Sequence, residues 1–264
     1  MTTPDLDGRI TAERRGHLHL IGLDRPKKMN AFTPKMLDEL ATAYTEFEND
    51  PDARAAVLFA HGSNFTGGLD LPKVAPRLRE TGSAFVPGTI DPLDLYPPYR
   101  TKPVVVAVRG FCYTIGIELM LAADIVVAGA ETRFRQHEVA RGIMAGGGAT
   151  IRFVERAGWG NGMMYLLTGD EFGAEEARRM NFVQEVVEAG RDTERAMQIA
   201  ARIAEQAPLA VAAMRVNARI AIHAGPEAAI ADINSRQAKL ASSEDAAEGL
   251  RSFLERGPAS FKGR

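Results

Sequence analysis

The chain has a single cysteine, Cys112, in 264 residues. One thiol excludes an intramolecular disulfide framework and any metal site built from several cysteines, and it fits a reducing compartment. An excess of charge of one sign is missing too. Lys and Arg number 32 against 34 Asp and Glu, a formal net charge of −2. Without a basic surplus, neither nucleic acid nor an anionic membrane is expected as the main partner, and any anionic ligand must be met by local basic residues. No apolar run approaches the roughly 20 residues needed to span a bilayer. The N-terminal stretch Met1-Thr2-Thr3-Pro4-Asp5-Leu6-Asp7 carries acids and no apolar core, unlike a signal peptide. A cytoplasmic protein is the expectation.

Several catalytic signatures are also lacking. No Gly-x-Ser-x-Gly elbow occurs. Gly146-Gly147-Gly148-Ala149-Thr150 lacks the lysine of a phosphate-binding loop, and Gly158-Trp159-Gly160-Asn161-Gly162 follows a helical pattern rather than a strand. Gly158 reads as a helix C-cap. His17 and His19 share one face of a strand, but no third ligand stands near them, so no metal site is expected. Cys112 follows a strand among apolar residues and reads as a buried structural thiol.

What is present is an alternation of strands and helices. Residues 9–23 read as two short strands around Arg15-Gly16. Thr33-Pro34 supplies an N-cap and a first-turn proline, and Leu37, Leu40, Tyr44 and Phe47 give the following helix an apolar face. Buried strands are expected at 55–60, 104–108, 125–128 and 182–187. Residues 72–102, with six prolines, read as a partly helical, irregular excursion. After Gly190 the strand signal stops, and 191–255 reads as three or four helices. This is an α/β core over 1–190 followed by a helical C-terminal region over 191–264.

Within that frame Glu118 is out of place. It lies in Tyr113-Thr114-Ile115-Gly116-Ile117-Glu118-Leu119-Met120-Leu121-Ala122-Ala123, a segment apolar nearly all the way round and therefore buried. A buried carboxylate is costly unless neutralised or hydrogen-bonded. A second acid, Glu138, precedes the glycine cluster at 146–148. Two glycine-bearing turns, Phe65-Thr66-Gly67-Gly68-Leu69-Asp70 and Tyr113-Thr114-Ile115-Gly116, each follow a buried strand and can point a free backbone N–H at a ligand. Two such amides make an oxyanion hole. With two carboxyl groups beside them, the set can move protons at the carbons alpha and beta to a polarised carbonyl.

These segments together resemble the crotonase superfamily, the enoyl-CoA hydratase/isomerase enzymes. Leu23-Asp24-Arg25-Pro26-Lys27-Lys28-Met29-Asn30-Ala31 is similar to that family's L-x-R-P-x-x-x-N-A segment, and Phe65–Asp70 to its F-x-A-G-x-D loop. Gly110–Glu118 resembles its second oxyanion loop with the first glutamate, and Phe134-Arg135-Gln136-His137-Glu138 the segment bearing the second. Phe253–Phe261 resembles the C-terminal F-x-E-[KR]-x-P-x-F. The sequence departs from the family pattern where Ile115 replaces a usual glycine and His137 a usual proline.

The resemblance implies a crotonase-like spiral of ββα units and a helical C-terminal region that mediates homotrimers, often paired into hexamers. It implies an acyl-CoA thioester substrate, with no cofactor beyond the coenzyme A of the substrate itself. The implied reaction is syn-addition of water to a trans-2-enoyl-CoA. Glu118 and Glu138 would be its catalytic acids, and the Leu69 and Ile115 N–H groups its oxyanion hole. Arg25, Lys27, Ala31, Gly67, Asp70, Leu71, Gly116, His137, Gly142, Phe261 and Lys262 would line the substrate and CoA site, with Asp70 fixing its own loop. Another crotonase-type reaction (isomerisation, dehalogenation or thioester hydrolysis) or a non-catalytic CoA-binding role are the alternatives.

Overall fold

Strand β1 (Arg9–Arg15) turns back on β2 (Leu18–Asp24) in an antiparallel pair, as the alternation around Gly16 predicts. The structure is a computed structural model and describes residues 7–264, so the acidic segment 1–6 lies outside the described residues. Helix α1 (Pro34–Asn49) starts where Thr33 accepts the N–H of Met36, with Pro34 in its first turn. Next come β3 (Ala55–Ala60), α2 (Leu71–Thr81), β4 (Val104–Val108), β5 (Phe111–Tyr113), α3 (Ile115–Ala122), β6 (Ile125–Gly129) and β7 (Arg133–Arg135). They are followed by α4 (Ala149–Ala157), α5 (Trp159–Thr168), β8 (Glu171–Gly173), α6 (Ala174–Arg179) and β9 (Glu185–Val187). Four helices complete the chain: α7 (Asp192–Ala204), α8 (Pro208–Ala224), α9 (Pro226–Ala241) and α10 (Glu244–Glu255).

The strands form two sheets. One has six strands in the order β1-β2-β3-β4-β6-β9, all parallel after the first pair. The other has three, β5-β7-β8. After β4 and again after β6 the chain adds a short strand to the small sheet, which is the ββ step of a spiral. The parallel strands are apolar on both faces. Leu58, Val104, Val106, Val108 and Val126 face the main core, with α1, α3 and the small sheet. Ala55, Val57, Val105, Ala107 and Val127 face Ala196 and Ala200 of α7. Helix α7 covers β3, β4 and β6, so packing against the large sheet continues past residue 190 into α7. No residue of α8 is buried.

The second sheet and its three-residue strands are absent from the pattern reading, and the last expected strand shrinks to Glu185–Val187. Three residues are too few for a period-two signal to rise above its surroundings.

Candidate active site

The site is built where the chain leaves the C-terminal ends of β3 and β4. Two isolated parallel bridges fix the loops there. Thr66 pairs with Cys112, and Phe32 with Leu69. In the second bridge, Phe32 donates to the Gly68 carbonyl and accepts from the Asp70 amide, so it brackets Leu69. The Leu69 N–H itself points to the opposite side and finds no acceptor among the described residues. Ile115 is the first residue of α3, so its N–H has no partner within the helix. Neither the Leu69 nor the Ile115 N–H has an acceptor among the described residues, and the N-terminal end of α3 adds its positive dipole.

Two residues force these loops into shape. Gly68 has φ +107, and a Cβ there would overlap the Thr114 hydroxyl. Thr114, at φ 49 and ψ −116, lies in a region that β-branched residues rarely occupy. The strain sits there and not at Ile115, whose backbone is helical and whose side chain is buried in the main core. The glycine-to-isoleucine departure is therefore accommodated without unusual backbone angles. Thr66, which the motif reading passed over, accepts the Gly68 N–H on its hydroxyl at 3.0 Å and donates that hydroxyl to the Asn30 carbonyl at 2.8 Å.

Glu118 lies one turn beyond Ile115 on the same face of α3 and is 4% exposed. Its Oε1 accepts the Gly147 N–H at 2.6 Å and the Ala149 N–H at 3.3 Å. A Cβ at Gly147 would overlap the carboxylate, which is the physical reason for glycine there. Burial raises the Glu118 pKa, while the two amides and the Arg152 guanidinium act in the opposite direction. Glu138 opens a 3-10 turn, Glu138–Arg141, closed by Gly142 at φ +71. Burial, and next the charge of Glu118, push its pKa up to about 7. Its Oε1 accepts from Gln136 Nε2 at 3.0 Å, and its buried Oε2 has no partner among the described residues.

Two carboxyls that repel each other release their protons in two steps belonging to the pair. Glu118 has two amide donors and a nearby guanidinium, whereas Glu138 has one side-chain amide. These donors favour the negative charge on Glu118, while burial and the Glu118 charge favour the proton on Glu138.

This has a consequence for stability. The folded protein binds the Glu138 proton more tightly than the unfolded chain, so folding is favoured below the ordinary value of 4.5 and loses that support as pH rises through about 7. Glu138→Gln, which imitates the neutral acid, is expected to melt higher than wild type at pH 8 and level with it near pH 5. Equal melting temperatures at both pH values would contradict the raised affinity of Glu138 for its proton.

The other expected site residues separate into groups. Gly67 lies in the glycine turn after β3, Leu71 opens α2 and Gly116 is the second residue of α3. A Cβ at Gly116 would press on Thr66, so this glycine permits the close approach of the two loops. Lys27 is exposed on the 3-10 turn Pro26–Lys28. Arg25 differs from expectation. It is 7% exposed, and its Nη1 donates to Asp70 at 2.9 Å and to the Ala31 carbonyl at 2.8 Å. Its guanidinium holds the loop bearing Asp70 rather than standing open to a phosphate. Asp70 does fix its loop, but through Arg25 and not by a side-chain cap on α2. His137 stands at the position before the 3-10 turn without a side-chain cap bond to it, and burial and next Arg135 lower its pKa, which favours the neutral ring.

Phe261 and Lys262 fall elsewhere. Arg54, just before β3, donates to the Phe261 carbonyl at 2.6 Å, and Asp245 accepts the Lys262 N–H at 2.6 Å. That is the N-terminal end of β3, roughly 20 Å along a six-residue strand from the loop bearing Leu69. The tail of one chain therefore does not join that chain's own site. A cavity of about 890 Å³ between α4 and α8 is lined by residues such as Leu121, Arg152, Met214 and Ile222. Neither Glu118 nor Glu138 lines it.

Fold and site together define an acyl-CoA enzyme of the crotonase type, and comparison with known proteins agrees. A sequence model of the enoyl-CoA hydratase/isomerase family matches residues 13–264, and the chain belongs to that family. Enoyl-CoA hydratase EchA19 of Mycobacterium tuberculosis is 31% identical over the full length of both chains. The short-chain-enoyl-CoA hydratase of Clostridium acetobutylicum is 32% identical over 68% of this chain and 69% of its own. Among solved structures, a "probable enoyl-CoA hydratase/isomerase" from Mycobacterium abscessus superposes with a TM-score of 0.93 at 47% identity, covering 97% of this chain and 98% of its own. The enoyl-CoA hydratase from Mycobacterium tuberculosis H37Rv gives 0.85 at 30% identity, covering 97% and 99%.

Proposed function

We propose that the protein is an enoyl-CoA hydratase that adds water to a trans-2-enoyl-CoA to give a 3-hydroxyacyl-CoA. The observation that carries this reading is the pairing of an amide-held Glu118 with a proton-holding Glu138 beside two unpaired backbone N–H groups. The Leu69 and Ile115 amides hold the thioester oxygen as it gains enolate charge. Glu118 takes a proton from water as the water oxygen bonds to the beta carbon, and the double-bond electrons move towards the thioester. Glu138 then gives its proton to the alpha carbon. Both new bonds form on one face, and the cycle closes when Glu118 returns a proton to solvent and Glu138 regains one. The coenzyme A is part of the substrate, and the scheme asks for no other cofactor.

The test is loss of enoyl absorbance with crotonyl-CoA and a series of longer enoyl-CoAs. No turnover at any chain length, alongside measurable CoA binding, would sink the hydratase reading and leave a binding role.

The same reading includes self-association through the helical C-terminal region. Met214 of α8 is 67% exposed and Phe253 of α10 is 80% exposed, and Ile222, Ile230 and Leu254 are exposed beside them. Uncovered apolar surface of this extent supports an interface there. A homotrimer or hexamer would cover it, and it would also let Phe261 and Lys262 of one subunit approach the CoA of another. Light scattering is expected to give three or six times 28.6 kDa; a monomer at micromolar concentration would remove this part of the proposal. Among the described residues, no helix is long and apolar enough to cross a membrane. A cytoplasmic location accords with that, and the exposed Lys27 is retained as a contact for the CoA phosphates.

A further inference from the structure

We propose that Arg152 is a positioning residue for Glu118: it pins the glycine turn at 146–148 from the side opposite the carboxylate and thereby fixes both the orientation and the ionisation of the base. This rests on the hydratase reading for its kinetic consequence but not for its electrostatic one. The turn is squeezed between two charges. A Cβ at Gly147 would overlap the Glu118 carboxylate, whereas a Cβ at Gly148, where φ is +99, would meet Arg152 Nη1 at 2.8 Å. Consecutive glycines thus make room for the base on one side and the guanidinium on the other.

The Arg152 hydrogen bonds all go to carbonyl oxygens. Nη2 donates to Leu93 at 2.7 Å and, at longer range, to Asp94 at 3.5 Å, and Nη1 reaches Gly147 at 3.4 Å. Residue Gly147 therefore meets Glu118 through its N–H and Arg152 through its carbonyl, on the two successive peptides that flank its Cα. An arginine in the first turn of α4 opposes the helix dipole, and burial penalises its charge further. Helix stability does not account for this residue, whereas a carboxylate held on the other side of the glycine turn does.

The charged groups around the pair act in a definite sense. Glu118 feels Arg152, and it faces Glu138 from the 3-10 turn. Arg152 feels Asp94 and Asp91 from the loop before β4, Glu155 from its own helix, and Glu118. Asp94 is in turn held by Arg215 and Arg219 of α8. The guanidinium thus links the catalytic turn to a loop anchored by the C-terminal helices. Removing its charge leaves Glu118 with the burial penalty and weaker compensation, so Glu118 ionises at higher pH.

The experiment compares Arg152→Gln and Arg152→Lys with wild type. In the free protein, the Glu118 carboxyl is followed by NMR titration with carboxyl-labelled glutamate, assigned through Glu118→Gln. Arg152→Gln is expected to move the Glu118 midpoint up by about one pH unit and Arg152→Lys by much less. With an enoyl-CoA, kcat should fall about 100-fold in Arg152→Gln and about 10-fold in Arg152→Lys, with KM changed less than about threefold, because the base is displaced while the CoA contacts remain. The acidic limb of the kcat profile should move with the NMR midpoint. An unchanged midpoint in a folded Arg152→Gln protein overturns the proposal. If that variant does not fold, wild-type kcat in Arg152→Lys overturns it instead. If wild type lacks hydratase turnover, the hydratase reading fails while the titration still decides the link between Arg152 and Glu118.

Discussion

Glu118→Gln is expected to reduce turnover of an enoyl-CoA by at least about 100-fold, the scale of a lost general base, in a protein that folds as wild type does. The substitution is nearly isosteric. The glutamine oxygen can still accept the Gly147 N–H, which Glu118 accepts at 2.6 Å, so the turn keeps its anchor. Only the capacity to take a proton from water is gone. Glu138→Gln should cost a similar factor for the complementary reason, since an amide cannot deliver a proton to the alpha carbon. Circular dichroism and melting curves separate this loss from misfolding. A near-normal rate in either variant removes that residue from the mechanism.

Gly68→Ala is expected to lower kcat/KM by about 100-fold, comparable to removing one oxyanion-hole donor. Two effects combine. At φ +107 an alanine is strained whatever space surrounds it, and its methyl would overlap the Thr114 hydroxyl. Thr114 immediately precedes Ile115, and Gly68 immediately precedes Leu69, so driving 68 and 114 apart displaces both amides from one oxygen. Gly82→Ala is the control. Gly82 also has positive φ, at +69, but nothing lies within 4 Å of its Cβ position and it caps α2 away from the oxyanion loops. It should lose stability and keep its rate. Equal losses of rate in the two variants would mean that backbone strain alone, and not the oxyanion geometry, sets the effect.

The sequence reading was strongest where side-chain chemistry and local pattern coincide. A carboxylate in an apolar helix, two glycine turns after buried strands and the Thr33-Pro34 helix start are all visible in a few residues. Groups that act through the backbone were invisible to it. Nothing in the order of residues shows that Phe32 brackets Leu69 and so leaves its N–H free, or that Gly147 rather than another glycine meets Glu118. Arg25 and Arg152 illustrate the same limit. Each is a basic residue whose role depends on carbonyl and carboxylate groups far away in sequence, such as Asp70 for Arg25 and Leu93 for Arg152. Arg152 did have one local signal, a cation four residues after Gly148 in the first turn of a helix, where helix electrostatics disfavours it. Only the family resemblance links the C-terminal tail to the substrate site, and its contacts with Arg54 place it at the other end of β3.

The most direct test of the central claim is incubation with a trans-2-enoyl-CoA in oxygen-labelled water, with the products resolved by mass spectrometry. The account predicts an intact CoA thioester carrying one labelled oxygen at carbon 3. Unlabelled product with a moved double bond, or label in a free carboxylate with release of coenzyme A, would contradict it and assign the two glutamates to a different reaction.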